Sequence, residues 1–221
     1  MELSIALRLA AELGIAVESV VREYWELAVL RVLLGTPAGV RLVFKGGTAL
    51  RLAYGSPRFS DDLDFSLAKA MGFRAFESSI CQVRMAYSDL ELTDLAEKRR
   101  TFLAEFRIRD AVLERPFRQV IEVSRRRPGS EANELRLLSS PCSPLKVLAR
   151  VATAEAIRKD KLAALAERKA ARDLFDLWFI AQATGRSLPA ELPRFDVRVL
   201  RRDLRKYLPR SYYPVVEELA K

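Results

Sequence analysis

The stretch from Val43 to Leu67, VFKGGTALRLAYGSPRFSDDLDFSL, constrains this chain more than any other. It reads as the end of an apolar strand (Val40–Phe44), a double glycine, a short helix, a loop and a second strand. In that second strand a period of two places Asp62, Asp64 and Ser66 on one face and Leu63, Phe65 and Leu67 on the other. The apolar face can pack on helices, which leaves two carboxylates side by side on the opposite face. Like charges this close raise one pKa unless a cation neutralises them, and a divalent metal is the usual resolution. Gly46-Gly47, followed by Thr48, lets backbone N–H groups approach a phosphate at the positive end of the new helix. Taken singly, a Gly-Gly after a strand is a turn and Asp-x-Asp punctuates a loop. In this order the pieces form a phosphate cradle facing a metal pair, which is nucleotidyl-transfer geometry.

Composition narrows the chemistry. The 221 residues include no histidine, so histidine triads, histidine bases and histidine-type zinc sites are excluded. Acid–base or metal chemistry rests on carboxylates, lysine or tyrosine. Cys81 and Cys142 form no CxxC. A balance of 38 basic against 29 acidic residues, +9 net, favours an anionic partner such as nucleic acid or nucleotide. No apolar run reaches membrane-spanning length and no signal-peptide pattern opens the chain, so the expectation is a cytoplasmic protein with no membrane partner.

Periodicity predicts helices over 2–14 and 17–34, a helix from Phe73 to about Tyr87, a short strand at Leu90–Leu92, and two antiparallel strands around Phe102–Ile108 and Phe117–Ser124. Glu122 stands inside the apolar run Val120-Ile121-Glu122-Val123, where an unpaired acid is costly to bury; it faces either solvent or a site. Pro128, Gly129, Pro141 and Pro144 mark a boundary, beyond which helices are expected from Ala149 to Lys169, Arg172 to Gly185, and near 197–207 and 213–221. Arginine-rich stretches at 98–100, 125–127 and 194–210 are either solvated faces or a nucleic-acid surface. Lys161 and Arg168 at helical spacing form either a solvated charged stripe or a functional one.

The run Lys45-Gly46-Gly47-Thr48-Ala49-Leu50, continuing into Arg58-Phe59-Ser60-Asp61-Asp62-Leu63-Asp64-Phe65, resembles the signature of the AbiEii/AbiGii toxin family. These are nucleotidyltransferases of the DNA polymerase β-like superfamily and the toxin half of toxin–antitoxin pairs. Glu155 to Lys161, then Arg168 and Arg172-Asp173-Leu174-Phe175-Asp176, resembles the family's second signature, with Asp160 where the family more often has glutamate. The resemblance covers about residues 17–180. It implies an α/β fold: a polymerase β-like nucleotidyltransferase domain with a mixed sheet (1–135), then a helical C-terminal domain (136–221), with the active site in the cleft between.

It also implies roles. Asp62, Asp64 and Glu122 would hold two Mg²⁺ ions, for which Mn²⁺ can substitute, Glu122 being the third carboxylate from a neighbouring strand. The backbone at Gly46 and Gly47, with the Thr48 hydroxyl, would cradle the triphosphate of an NTP substrate, with Lys45 contributing or merely flanking the turn. Lys161 and Arg168 would face the phosphates, Lys161 as part of the catalytic set. Arg172 would bind or orient them, and Arg58, Ser60, Asp173 and Asp176 would orient groups or brace the domain interface. The implied acceptor is RNA, most of all the 3′ end of tRNA, whose extension would block translation, and the implied partner is a cognate antitoxin. Nucleotidylation of a protein or small molecule, or a non-catalytic nucleotide- or RNA-binding module, are the alternatives.

Overall fold

Gly14 takes a left-handed backbone (φ +63°) that closes α1 (Leu3–Leu13), and the chain turns at once into α2 (Val17–Leu34). The computed structural model describes residues 1–126, 128–189 and 192–220; Arg127, Ala190, Glu191 and Lys221 lie outside the described residues, and with Arg127 the end of the basic stretch 125–127. After α2 come β1 (Leu42–Lys45), α3 (Gly46–Tyr54), β2 (Asp62–Leu67) and α4 (Phe73–Ala86). Five strands follow: β3 (Leu90–Glu97), β4 (Thr101–Ile108), β5 (Phe117–Ser124), β6 (Asn133–Ser140) and β7 (Ser143–Ala152). The chain ends in α5 (Ala154–Arg168), α6 (Ala171–Thr184), α7 (Val197–Leu204) and α8 (Tyr213–Glu218).

The strands form one mixed sheet in the order β3-β4-β5-β2-β1-β7-β6, parallel at β2–β5 and β1–β7 and antiparallel elsewhere. Register assigns its faces. Phe44 pairs with Phe65 and Val151, Phe65 with Val123, and Val123 with Phe102, so these apolar side chains share one face. There α2 and α4 cover them, with Phe76 stacked on Phe102 at 5.4 Å. On the other face Lys45 pairs with Asp64, and Asp64 with Glu122. One face is hydrocarbon and the other carries the ionisable groups, as the alternation in β2 demands.

A second core lies in the helices, where Leu174, Phe175 and Leu177 of α6 pack with Leu200, Leu204, Leu208 and Val216.

Residues 136–152, expected in the helical part, are sheet instead: β6 and β7 form a hairpin, β7 joins β1, and α5 begins only at Ala154. The prolines read as linker punctuation fit a strand here. Pro141 sits in the tight turn of the hairpin and Pro144 near the start of β7, beyond the short stretch where β1 pairs, so its missing N–H interrupts no bond on that side. The apolar alternation Val147, Ala149, Val151, buried against α2, overrides the helix propensity of the alanines.

Candidate active site

Strand β2 presents Asp62 and Asp64, and its parallel neighbour β5 sets Glu122 directly beside Asp64. The Asp64 carboxyl is pushed up to about 6, by burial first and by Asp62 and Glu122 beside it, while Lys161 and Lys45 oppose them. Asp62 is raised as well, by burial and by Asp61, against the pull of Arg172, Arg118 and Arg22. These acids are short of positive charge, the condition a divalent cation relieves. Among the described residues no three carboxylates close into a ready cage. The adjacent hard oxygen donors on one face nevertheless suit a magnesium-like ion, which keeps several waters and takes one or two protein carboxylates.

The glycine pair is fixed by side chains of the site itself. Gly46 has φ +81°, and a Cβ there would lie 2.5 Å from Asp64 Oδ2. A Cβ on Gly47 would lie 2.3 Å from Arg58 Nη2 and 2.8 Å from Ser60 Oγ. Thus Gly46 admits the carboxylate and Gly47 admits the guanidinium and the Ser60 hydroxyl. Thr48, expected to offer its hydroxyl to phosphate, is fully buried and donates instead to the Asp62 carbonyl at 2.5 Å, tying the start of α3 to β2. The one hydroxyl proton is already committed there.

Helix α5 is capped by Thr153, whose side chain accepts from the Ala156 N–H, and it buries Ile157, Lys161 and Leu165 at steps of four. Lys161 therefore occupies a core position. Its ammonium donates to Asp173 Oδ1 (2.9 Å) and pairs with Asp176 Oδ2 (2.6 Å), both fully buried on the facing stripe of α6. Arg168, two turns beyond Lys161, binds Asp173 through Nε and Nη2 at 2.7 and 2.9 Å. Arg58 grips Asp176 from the β2 side through Nε and Nη2, at 2.7 and 2.8 Å. Burial alone would raise both aspartates, yet the cations outweigh it and hold them below the ordinary carboxylate range.

Lys161 and Arg168 are thus bound to acids rather than bare. Both still act electrostatically on Asp64, so they border the carboxylate face. Lys45 donates to Asp160 at 2.6 Å and lies 3.6 Å from Glu131; burial lowers its pKa, but these acids and Asp64 raise it more. Arg172 is different: among the described residues it has no ion pair, and its charge acts on Asp62.

One part of the site left no local trace in the sequence. Asp61 is held from three directions: Tyr207 donates its hydroxyl to Oδ2 (2.6 Å), Arg22 Nε lies 3.3 Å from Oδ1, and Gln119 Nε2 donates to the carbonyl (2.9 Å). Tyr207 lies 146 positions from Asp61, and only docking of the C-terminal segment onto the loop before β2 reveals the contact.

Comparisons with known proteins agree with this architecture. The family model described as "Nucleotidyl transferase AbiEii toxin, Type IV TA system" matches residues 29–217. JHP933 from Helicobacter pylori is similar in structure, at 28% identity over 76% of this chain and 68% of that one, with a TM-score of 0.55. MenT4, a nucleotidyltransferase toxin from Mycobacterium tuberculosis H37Rv, shares the fold at a TM-score of 0.61 and 23% identity, over 91% of this chain and 68% of its own. No curated protein matches.

Proposed function

This chain belongs to the AbiEii family of nucleotidyltransferase toxins, and on that premise we propose that it transfers a nucleoside monophosphate from an NTP to the 3′ end of an RNA, tRNA first among candidates, and so blocks translation. In this reaction the acceptor hydroxyl oxygen bonds to the α-phosphorus and the bond from that phosphorus to the β-phosphate oxygen breaks. Pyrophosphate leaves, and the hydroxyl proton goes to water.

The observation that carries the reading is the pairing of Asp64 with Glu122 across β2 and β5, with Asp62 two residues away on the same face. These carboxylates would hold two Mg²⁺ ions, with Mn²⁺ as a substitute; when bound, such ions supply the charge that acidifies the acceptor hydroxyl and offsets the leaving pyrophosphate. Arg172 contributes a cation with no ion pair among the described residues, and Lys161 and Arg168 add charge that acts on Asp64. Backbone N–H groups at the start of α3, where no side chain caps the helix, would receive phosphate oxygens. Gly46 and Gly47 leave room there for Asp64, Arg58 and Ser60, and Asp173 and Asp176 hold Lys161, Arg168 and Arg58 in place.

The family description makes the chain the toxin of a type IV toxin–antitoxin system, which implies an antitoxin partner. No helix among the described residues is long and apolar enough to cross a membrane. The RNA assignment draws on the +9 charge. The stretches 98–100 and 125–126 meet where the Arg125 N–H donates to the Arg100 carbonyl, although Arg125 itself is bound to Glu97 at 2.6 Å. The test is to incubate purified protein with unfractionated tRNA, Mg²⁺ and each labelled NTP in turn. Label on tRNA supports the reading; label only on a protein or metabolite removes RNA as acceptor and leaves the nucleotidyltransferase assignment standing.

A further inference from the structure

A cavity of about 410 Å³ opens between the α1–α2 turn and the segment 205–213. Arg205, Lys206, Arg210 and Tyr213 line one side, and small residues of the turn, among them Gly14 and Ala16, line the other. The two sides are joined by the Arg210 N–H, which donates to the Gly14 carbonyl at 3.1 Å. On the turn side Ile15 is the one large side chain among the described residues that line the space.

Its charge is one-sided. No acid lines it among the described residues. Glu217 lies 3.7 Å from Arg205 but is engaged more closely by Arg201 at 2.7 Å, and Arg210 has no ion pair among the described residues. Aromatic rings hold two of the cations in position: the Arg205 guanidinium sits 4.9 Å from the Tyr213 ring centre and the Lys206 ammonium 4.4 Å from that of Tyr207. The first turn of the 18-residue α2, beginning at Val17 without a side-chain cap, adjoins the cavity, and its acid Glu18 pairs with Arg22.

A residue beside the lining couples the cavity to the carboxylate face. Tyr207, between Lys206 and Leu208 of the lining, donates to Asp61, the residue before Asp62, and its carbonyl accepts from the Phe59 N–H at 2.8 Å. We propose that this cavity docks a backbone phosphate of the RNA acceptor and leads the strand past Tyr207 to the cleft, an inference that rests on the RNA reading above. A polymer phosphate fits better than a second nucleotide. The cations stand exposed at the rim, and among the described residues that line the cavity no buried polar side chain is present to read a base.

The test compares Lys206→Ala/Arg210→Ala with Arg74→Ala/Arg84→Ala, which removes the same charge from exposed positions of α4. Binding of unfractionated tRNA is followed against salt, and transfer is followed against RNA and NTP concentration separately. The cavity variant is expected to bind tRNA about tenfold more weakly and to lose about 0.7 from the salt slope, the share of one single-strand phosphate contact. Its KM for RNA should rise and its KM for NTP should stay unchanged, while the α4 variant behaves as wild type. Equal RNA affinity, salt slope and KM in the two variants, with RNA still labelled, overturns the docking site alone. Wild-type protein that neither binds nor labels RNA overturns it together with the RNA reading.

Discussion

Arg58 and Asp176 form a buried two-pronged ion pair across 118 positions of sequence, joining the loop before β2 to α6 through bonds of 2.7 and 2.8 Å. Asp176 also holds Lys161, so this one carboxylate fixes the helices against the sheet that bears the candidate metal ligands. Removing it leaves two buried cations short of a partner. Asp176→Ala and Arg58→Ala are each expected to cost about 3–5 kcal/mol, read from urea unfolding. A loss under about 1 kcal/mol in both would mean that the pair is not what joins the two parts.

The glycine pair gives a second prediction. Gly47→Ala forces a methyl group against an Arg58 nitrogen that Asp176 holds, and Gly46→Ala adds strain at φ +81° to a clash with Asp64. Each is expected to destabilise by about 1–3 kcal/mol and to reduce transfer further than stability alone explains, because Asp64 or Arg58 must shift. Transfer rates at a temperature where both variants are folded check this.

The three cations of α5 and α6 should separate by their partners. Arg172→Ala breaks no ion pair among the described residues, so stability should change by less than about 0.5 kcal/mol while KM for NTP rises about tenfold. Lys161→Ala strips a partner from two buried aspartates and should cost about 3–5 kcal/mol as well as activity. Arg168→Ala, whose side chain is half-exposed and whose partner Asp173 keeps Lys161, should cost only about 1 kcal/mol. Nucleotide titration paired with thermal unfolding distinguishes the three.

Much of this arrangement was legible in the residues. The alternation of Asp62-Leu63-Asp64-Phe65 fixed which face bears charge, and the apolar run around Glu122 marked a strand able to lie beside it. The helices at both ends also match their periodicity. What escaped depends on distant packing. The hairpin β6–β7 is helix-prone in its alanines and linker-like in its prolines, and only its neighbours make it a sheet. The pairing of Lys161 with Asp173 and Asp176 follows from how α5 lies on α6, and the Tyr207–Asp61 bond from where the last segment docks. Thr48 read as a phosphate ligand because its position in the motif is visible, whereas its bond to the Asp62 carbonyl is not.

Glu26 of α2 supplies a pH signature. It is buried, its Oε1 has no hydrogen-bond partner among the described residues, and burial with Glu23 nearby raises its pKa well above the ordinary value, against Arg22 and Arg51. A carboxyl whose folded pKa is raised binds its proton more tightly folded than unfolded. Stability is therefore lost as pH rises from the unfolded value near 4.3 through the raised one. Glu26→Gln should match wild type near pH 4 and exceed it in stability at pH 8; urea unfolding at the two pH values checks the sign.

The most direct measurement of the central claim is transfer of labelled nucleotide to tRNA by wild type, Asp62→Asn, Asp64→Asn and Glu122→Gln, with divalent-metal binding followed on the same samples. The account predicts that each variant stays folded, that metal binding and transfer fall together, and that Asp64→Asn, at the register position shared with Glu122, falls by about 100-fold or more. Wild-type transfer rates in all three variants would contradict the assignment of this strand pair as the catalytic centre.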